Sequence, residues 1–147
     1  MSPLKIDAIT DADVEPVVAL WQRCGLTRPW NDPHADIALA RRRDNSTLLI
    51  GRDGGAIVAT VMVGHDGHRG WVYYVAVDPD CQKRGFGRVI MAAAEDWLRA
   101  AGILKLQLLV RRGNEPANAF YGSLGFTEST SVMFQKWLDG RETTPSN

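Results

Sequence analysis

Neither sign of charge is in surplus: 17 basic residues balance 17 acidic ones. That balance argues against a general binder of nucleic acid or of membrane surfaces, which carries a basic excess. Long apolar runs are missing too; none approaches the ~18 residues that a membrane-spanning helix needs. The opening residues MSPLKIDAIT hold no apolar core of a signal peptide, so a cytoplasmic protein is expected. Cysteine is scarce. Cys24 and Cys81 fit neither a disulfide framework nor a metal-knuckle spacing, and two reduced thiols with no metal are expected. Repeats and low-complexity segments are absent, and only DGRETTPSN at the end reads as a frayed polar tail.

What is present is an ordinary globular composition, 45% hydrophobic and 23% charged over 147 residues. A chain of this length buries roughly two-thirds of its unfolded surface. We read a single domain over residues 1–138 and a tail over 139–147. LKIDAI alternates like a first strand. Asp13 is placed to cap a helix over 14–24, with Val14, Val17, Val18 and Trp21 on one face. Asp32 followed by Pro33 predicts a second helix to about Arg43. STLLIGR and AIVATVMVG read as strands joined at DGG, and HDGHRG is a turn into the strand WVYYVAV. A helix over 86–101 follows, then the strand LKLQLLV. Residues 71–110 therefore form a strand–helix–strand crossover of the parallel, right-handed kind. EPANAFYGSL predicts a short helix, and TESTSVMFQKWL alternates like a last strand. The fold class is α+β, a mixed, mostly antiparallel sheet flanked by about four helices.

The stretch VDPDCQKRGFGRVIMAAAEDW carries the chemistry. Its loop lies between the end of a buried strand and the start of a helix, where backbone N–H groups point outward and the helix dipole is positive. Gly85 and Gly87 remove side chains that would keep a phosphate from those amides, and Lys83, Arg84 and Arg88 add cationic donors. Such a loop suits a pyrophosphate; it equally suits a helix start whose glycines serve close packing. A P-loop would need Lys-Ser/Thr after its last glycine, and Arg88-Val89 stands there. A dinucleotide fingerprint would need a small residue at Ile90 and an acid near Lys105. Both fail.

QKRGFG after VAVDP, and NEPANAFYGSLGF downstream, resemble the two signatures of the GNAT superfamily of N-acetyltransferases, in the right order and with the expected helix and strand between them. RPWNDP and DGHRG look like a bacterial branch related to the ribosomal-protein alanine N-acetyltransferases. The resemblance covers almost the whole chain and implies the GNAT fold, with acetyl-CoA as donor and a primary amine as acceptor, either a protein N-terminus or a small molecule. It implies that the main chain of Val75, Ala76 and Val77 pairs with the pantetheine arm like an added strand. Gln82 would belong to the cofactor site, and the amides of Lys83, Arg84, Gly85, Phe86, Gly87 and Arg88 would hold the pyrophosphate. Asn114, and more weakly Asn118, would bond the cofactor, and Tyr121 would protonate the leaving thiolate.

Acceptor-side candidates are Arg28 and Trp30, between the first two helices, then His65 and His68 on the turn, and Tyr73. A packed Trp30 with a solvated Arg28, and a solvated hairpin tip for the histidines, explain those residues as well. Tyr73 and Tyr74 alternate, so one of the two is expected to face the cleft. No Asp or Glu occurs in 71–77 or 104–110, where the family commonly places its base. A lysine amine of pKa ~10.4 is neutral about one part in a thousand near pH 7.4, an α-amine of pKa ~7.7–8.0 roughly a quarter of the time. The missing carboxylate therefore favours an acceptor of low amine pKa. It also leaves open a non-catalytic acyl-CoA-binding or regulatory module on the same fold. An exposed last strand would permit a homodimer, and no nucleic acid or membrane partner is expected.

Overall fold

The computed structural model of the protein describes residues 4–147. They form two compact units, up to Leu109 and from Val110 onward, and each is described by itself.

The first unit is a five-stranded sheet in the order β1 (Lys5–Ala8), β2 (Ser46–Asp53), β3 (Ala56–His65), β4 (Gly70–Val77), β5 (Leu106–Gln107). The first three pairings are antiparallel; β4 and β5 run parallel, joined by the crossover helix α3 (Phe86–Ala100). Gly54 and Gly55, both at positive φ, make the β2–β3 hairpin turn that DGG predicts.

Strand alternation sends Leu48 and Ile50 to one face of the sheet, where they pack with Ile9, Ala76, and Val17, Val18 and Trp21 of α1 (Val14–Arg23) and Ile37 of α2 (Pro33–Ala40). The buried stripe Phe86, Ile90, Met91, Ala94 and Leu98 of α3 covers the other face. Contact there is close: a Cβ added to Gly70 would lie 2.5 Å from a Leu98 methyl.

Several elements end differently from the sequence expectation. The second helix stops at Ala40 rather than Arg43, and the Ser46 hydroxyl, not a longer helix, bonds the Ala40 carbonyl at 2.8 Å. Asp32 does cap it, accepting from the His34 and Ala35 amides. Asp13 stands at the start of α1 but makes no side-chain cap there. Its buried carboxylate instead accepts from the Thr10 amide and hydroxyl and pairs with Arg52 at 2.6 Å. The expected strand over 104–110 shrinks to Leu106–Gln107, because β5 meets β4 only at Gly70 and Trp71.

The second unit holds α4 (Glu115–Ser123), capped by Asn114, and a long irregular segment. The last strand expected over 127–138 is not formed. The segment alternates, but alternation specifies faces and not a partner, and a strand needs a partner for its N–H and C=O groups. Here the groups turn inward locally: Ser131 N–H donates to the Ser129 hydroxyl and Trp137 N–H to the Thr143 hydroxyl. Among the described residues no helix is long and apolar enough to cross a membrane.

Candidate active site

β4 runs into the glycine loop through a chain of small anchors. Asp78 accepts from the Asp80 amide, opening a single 3-10 turn over Pro79–Cys81, and it is held by Arg23 of α1 at 2.5 Å. Gln82 then folds back, its Nε2 donating to the Val77 carbonyl at 3.0 Å. Lys83 sits at φ 65 and Gly85 at φ 80, so the loop turns twice through left-handed backbone before α3 begins. For lysine this costs roughly 1–3 kcal/mol, a strain kept where surroundings impose it. Gly85 is the N-cap of α3 and no side chain caps that helix, so its first amides point outward without a protein acceptor of that kind. Nothing lies within 4 Å of where a Gly85 Cβ would stand. Arg84 leans away onto Asp53 (3.0 Å) and lies over the Phe86 ring (4.6 Å). Lys83 and Arg88 are exposed and pair with no described residue.

β4 itself is irregular at its middle. Tyr73 faces Met62 and Ala76 faces Thr60 across β3, so Tyr74 and Val75 stand against Val61 alone. This is a β-bulge, and Tyr74 occupies it at φ 52. Its support is a buried relay: Trp21 Nε1 donates to Thr60 Oγ1 (2.9 Å), which donates to the Tyr74 carbonyl (2.8 Å). The Tyr74 ring stacks flat on Trp21, 3.7 Å between centroids, and its hydroxyl donates to Asp36 of α2 at 2.7 Å. The bulge also breaks the simple alternation of Tyr73 and Tyr74. Tyr73 is half exposed, and burial of its ring pushes its phenol up. Past Trp71, β4 has no strand partner on its β5 side among the described residues, which leaves Val75, Ala76 and Val77 beside an open edge.

The other sequence-derived positions fall in separate places. Arg28 turns back on the end of α1, donating to the Gly25 and Thr27 carbonyls at 2.7 and 2.9 Å. Trp30 is half-buried in the same linker. His65 and His68 lie at the hairpin that begins β4, about 20 Å of strand away from the glycine loop. There His65 Nδ1 accepts from the Gly67 amide, and Asp66 accepts from the His68 and Arg69 amides. In the second unit Asn114 Oδ1 accepts from the Ala117 amide, and Asn118 is exposed on the first turn of α4. Tyr121 is half-buried, edge-on to Phe120 and Phe126 at 5.0 and 5.8 Å, and burial pushes its phenol up.

An uncapped helix start, a glycine in left-handed backbone and an open, bulged strand edge now stand in one continuous segment. The family model described as the acetyltransferase (GNAT) family matches residues 6–126. The chain belongs to that family. This acetyltransferase is 38% identical over 135 residues to an acetyltransferase of Yersinia enterocolitica, covering 92% of this chain and 96% of the relative. It is 37% identical over 130 residues to an acetyltransferase of Sodalis glossinidius, covering 88% and 92%. Among solved structures, the ribosomal-protein-S18-alanine N-acetyltransferase of Escherichia coli matches with a TM-score of 0.75 at 27% identity, covering 95% of this chain and 88% of that one. An aminoglycoside N-acetyltransferase solved with coenzyme A matches with a TM-score of 0.80 at 18% identity, covering 94% and 97%, which shows the shared fold.

Four side chains around the acetyltransferase's loop and β4 escaped the sequence reading: Cys24, Asp53, Asp78 and Asp36. Cys24 Sγ donates to the Val77 carbonyl at 3.3 Å, and burial, with the charge of Asp78, pushes its thiol up and keeps the proton in place. These side chains meet partners 31 to 55 residues distant in sequence, so no local spacing marks them. A cavity of about 350 Å³ lined by Ile9, Arg41, Arg43, Asp44, Ser46, Thr47 and Trp97 shares no residue with the loop or β4 and plays no part in this reading.

Proposed function

We propose that this acetyltransferase takes acetyl-CoA as donor and transfers the acetyl group directly to a primary amine. The observation that carries the proposal is the uncapped start of α3 behind Gly85, at the end of an open-edged β4. The amides from Lys83 to Arg88 hold the pyrophosphate, aided by the unpaired cations of Lys83 and Arg88, and the helix dipole favours the same negative charge. Val75, Ala76 and Val77 offer main-chain groups to the pantetheine arm. Since the Val77 carbonyl already accepts from Gln82 and Cys24, and Ala76 faces Thr60 of β3, the pairing falls mainly to Val75 and the Val77 amide. An amide at the bulge polarises the thioester carbonyl, as a preorganised donor does for a developing oxyanion. Tyr121 supplies the proton to the departing sulfur, and Asn114 has its side-chain N–H₂ left for the cofactor while its oxygen caps α4. In this reading residues 1–138 act as one domain in the cytoplasm, with 139–147 as its tail.

The 27% identity to an enzyme acting on an alanine of ribosomal protein S18 makes a peptide N-terminus the first acceptor to try. An α-amine, partly neutral near pH 7.4, also asks least of a base.

The test is titration calorimetry with acetyl-CoA, then thiol release with an alanine-first peptide, lysine, spermidine and an aminoglycoside. We expect binding in wild type, its loss in Gly87→Glu, and release with one acceptor class. Wild-type-like binding by Gly87→Glu would remove the loop from the cofactor site. Binding with no release from any amine would leave a cofactor-sensing module in place of the enzyme proposed.

A further inference from the structure

The carboxylate that 71–77 and 104–110 lack reaches β4 from another element. Asp36 lies in the first half of α2, half-buried, its N–H bonded to the Asp32 carbonyl at 2.9 Å, so its position is set by the helix. Its Oδ2 accepts the Tyr74 hydroxyl at 2.7 Å, and its Oδ1 has no protein partner among the described residues. Tyr74 is held at three points: the ring on Trp21, the carbonyl by Thr60, the hydroxyl by Asp36. Packing on Trp21 requires only a ring, and phenylalanine would supply it. The hydroxyl–carboxylate bond adds a polar path from the bulge of β4 to a carboxylate with one oxygen open.

We propose that Tyr74 and Asp36 form the proton-accepting pair for the acceptor amine, with Asp36 the final acceptor and Tyr74 the relay. This rests on the reading above, in which the thioester carbonyl lies at the bulge. The amine lone pair forms the C–N bond and the C–S bond breaks, its electron pair leaving on sulfur, which takes a proton from the general acid of that reading, itself reprotonated by solvent. The surplus proton on nitrogen passes, directly or over one water, to the phenol oxygen of Tyr74 as the phenol proton moves to Asp36 Oδ2. Tyr74 ends neutral and Asp36 ends protonated, then loses its proton to solvent at its open edge. Tyr74 is suited to relaying and not to ionising: burial, then the bond and charge of Asp36 and the charge of Asp32, hold its phenol well above the usual tyrosine range. Asp32, which caps α2, also acts on Tyr74 by its charge, while His34, two residues before Asp36, is engaged with Glu15 of α1 at 2.9 Å. α1 and β3 present Trp21 and Thr60 to Tyr74, and neither titrates.

The test compares Asp36→Asn, Asp36→Glu, Tyr74→Phe and His34→Gln with wild type, using the panel amine that wild type acetylates. We expect acetyl-CoA affinity unchanged by calorimetry in all four, so that a failed loop assignment shows separately. Turnover should fall about 10²-fold in Asp36→Asn, with acceptor KM within about 3-fold, as loss of a general base predicts. Tyr74→Phe should fall too, and Asp36→Glu should recover part of the rate. The acidic limb of kcat, which reports the enzyme–substrate complex, should vanish in Asp36→Asn and persist in His34→Gln. Wild-type kcat and acidic limb in both Asp36→Asn and Tyr74→Phe would overturn the pair's role. Loss of rate with the limb intact would reduce it to a structural tie between α2 and β4. If wild type binds acetyl-CoA and releases no thiol with any amine, the catalytic reading fails and this proposal with it.

Discussion

The Val77 carbonyl accepts from a thiol on α1 and an amide on the loop, so the last residue before the turn is fixed from two sides. Tyr121 is the residue whose role is most open to a direct test. Its ring contacts, Phe120 and Phe126, survive replacement by phenylalanine, while its proton does not. With its phenol raised by burial, it stays protonated throughout the neutral range, as a proton donor must. We expect Tyr121→Phe to bind acetyl-CoA within about 2-fold of wild type and to lose about 10²-fold in kcat. Unchanged kcat in a thiol-release assay would return Tyr121 to a packing role.

At the level of elements, β4 is the strand whose bulge alternation misreads. The pattern WVYYVAV says that side chains change face at every residue. The extra residue opposite Val61 interrupts that rule, and a tyrosine at φ 52 is tolerated because Thr60 and Trp21 hold its backbone and ring. Thr60→Val keeps the shape of the side chain but orphans the Trp21 N–H and the Tyr74 carbonyl. Two such groups at roughly 1–3 kcal/mol each should lower stability by about 2–6 kcal/mol, read as a denaturation midpoint. A loss under about 0.5 kcal/mol would mean that water replaces the hydroxyl. The strand expected over 127–138 marks the opposite limit. Its alternating Val132 and Phe134 are 71% and 95% exposed in the second unit, because a face pattern without a partner strand makes no ladder.

Across the first unit, an ion pair links the start of α1 to β2. Asp13 is buried, and burial alone would raise its carboxyl; the bond from Arg52 and those from Thr10 outweigh this and hold it below the usual carboxylate range. A carboxyl whose folded value lies below its unfolded one stabilises the fold above the unfolded value, ~3.9, and that contribution is lost as pH falls through the folded value. Wild type should therefore lose stability on acidification below about pH 4. Arg52→Ala should cost about 2–3 kcal/mol at pH 7, less than a fully buried pair because Arg52 is part-exposed and Thr10 still bonds Asp13. The slope of stability against pH in that acid range should flatten in Arg52→Ala; an unchanged slope would show that the pair contributes nothing to acid sensitivity.

Local order along the chain was sufficient for the elements up to α4, for the crossover around α3, and for the family. Each depends on period, caps and glycine spacing, which neighbouring residues carry between them. The glycine loop was legible for the same reason, since a helix start and its glycines are adjacent in sequence. The bulge, the anchoring of Val77 by Cys24 and the arrival of Asp36 at Tyr74 were not legible. Each is a meeting of residues 38 to 53 positions apart, or a count of residues against a partner strand, and such facts exist only once the sheet is assembled and α1 and α2 lie on its face.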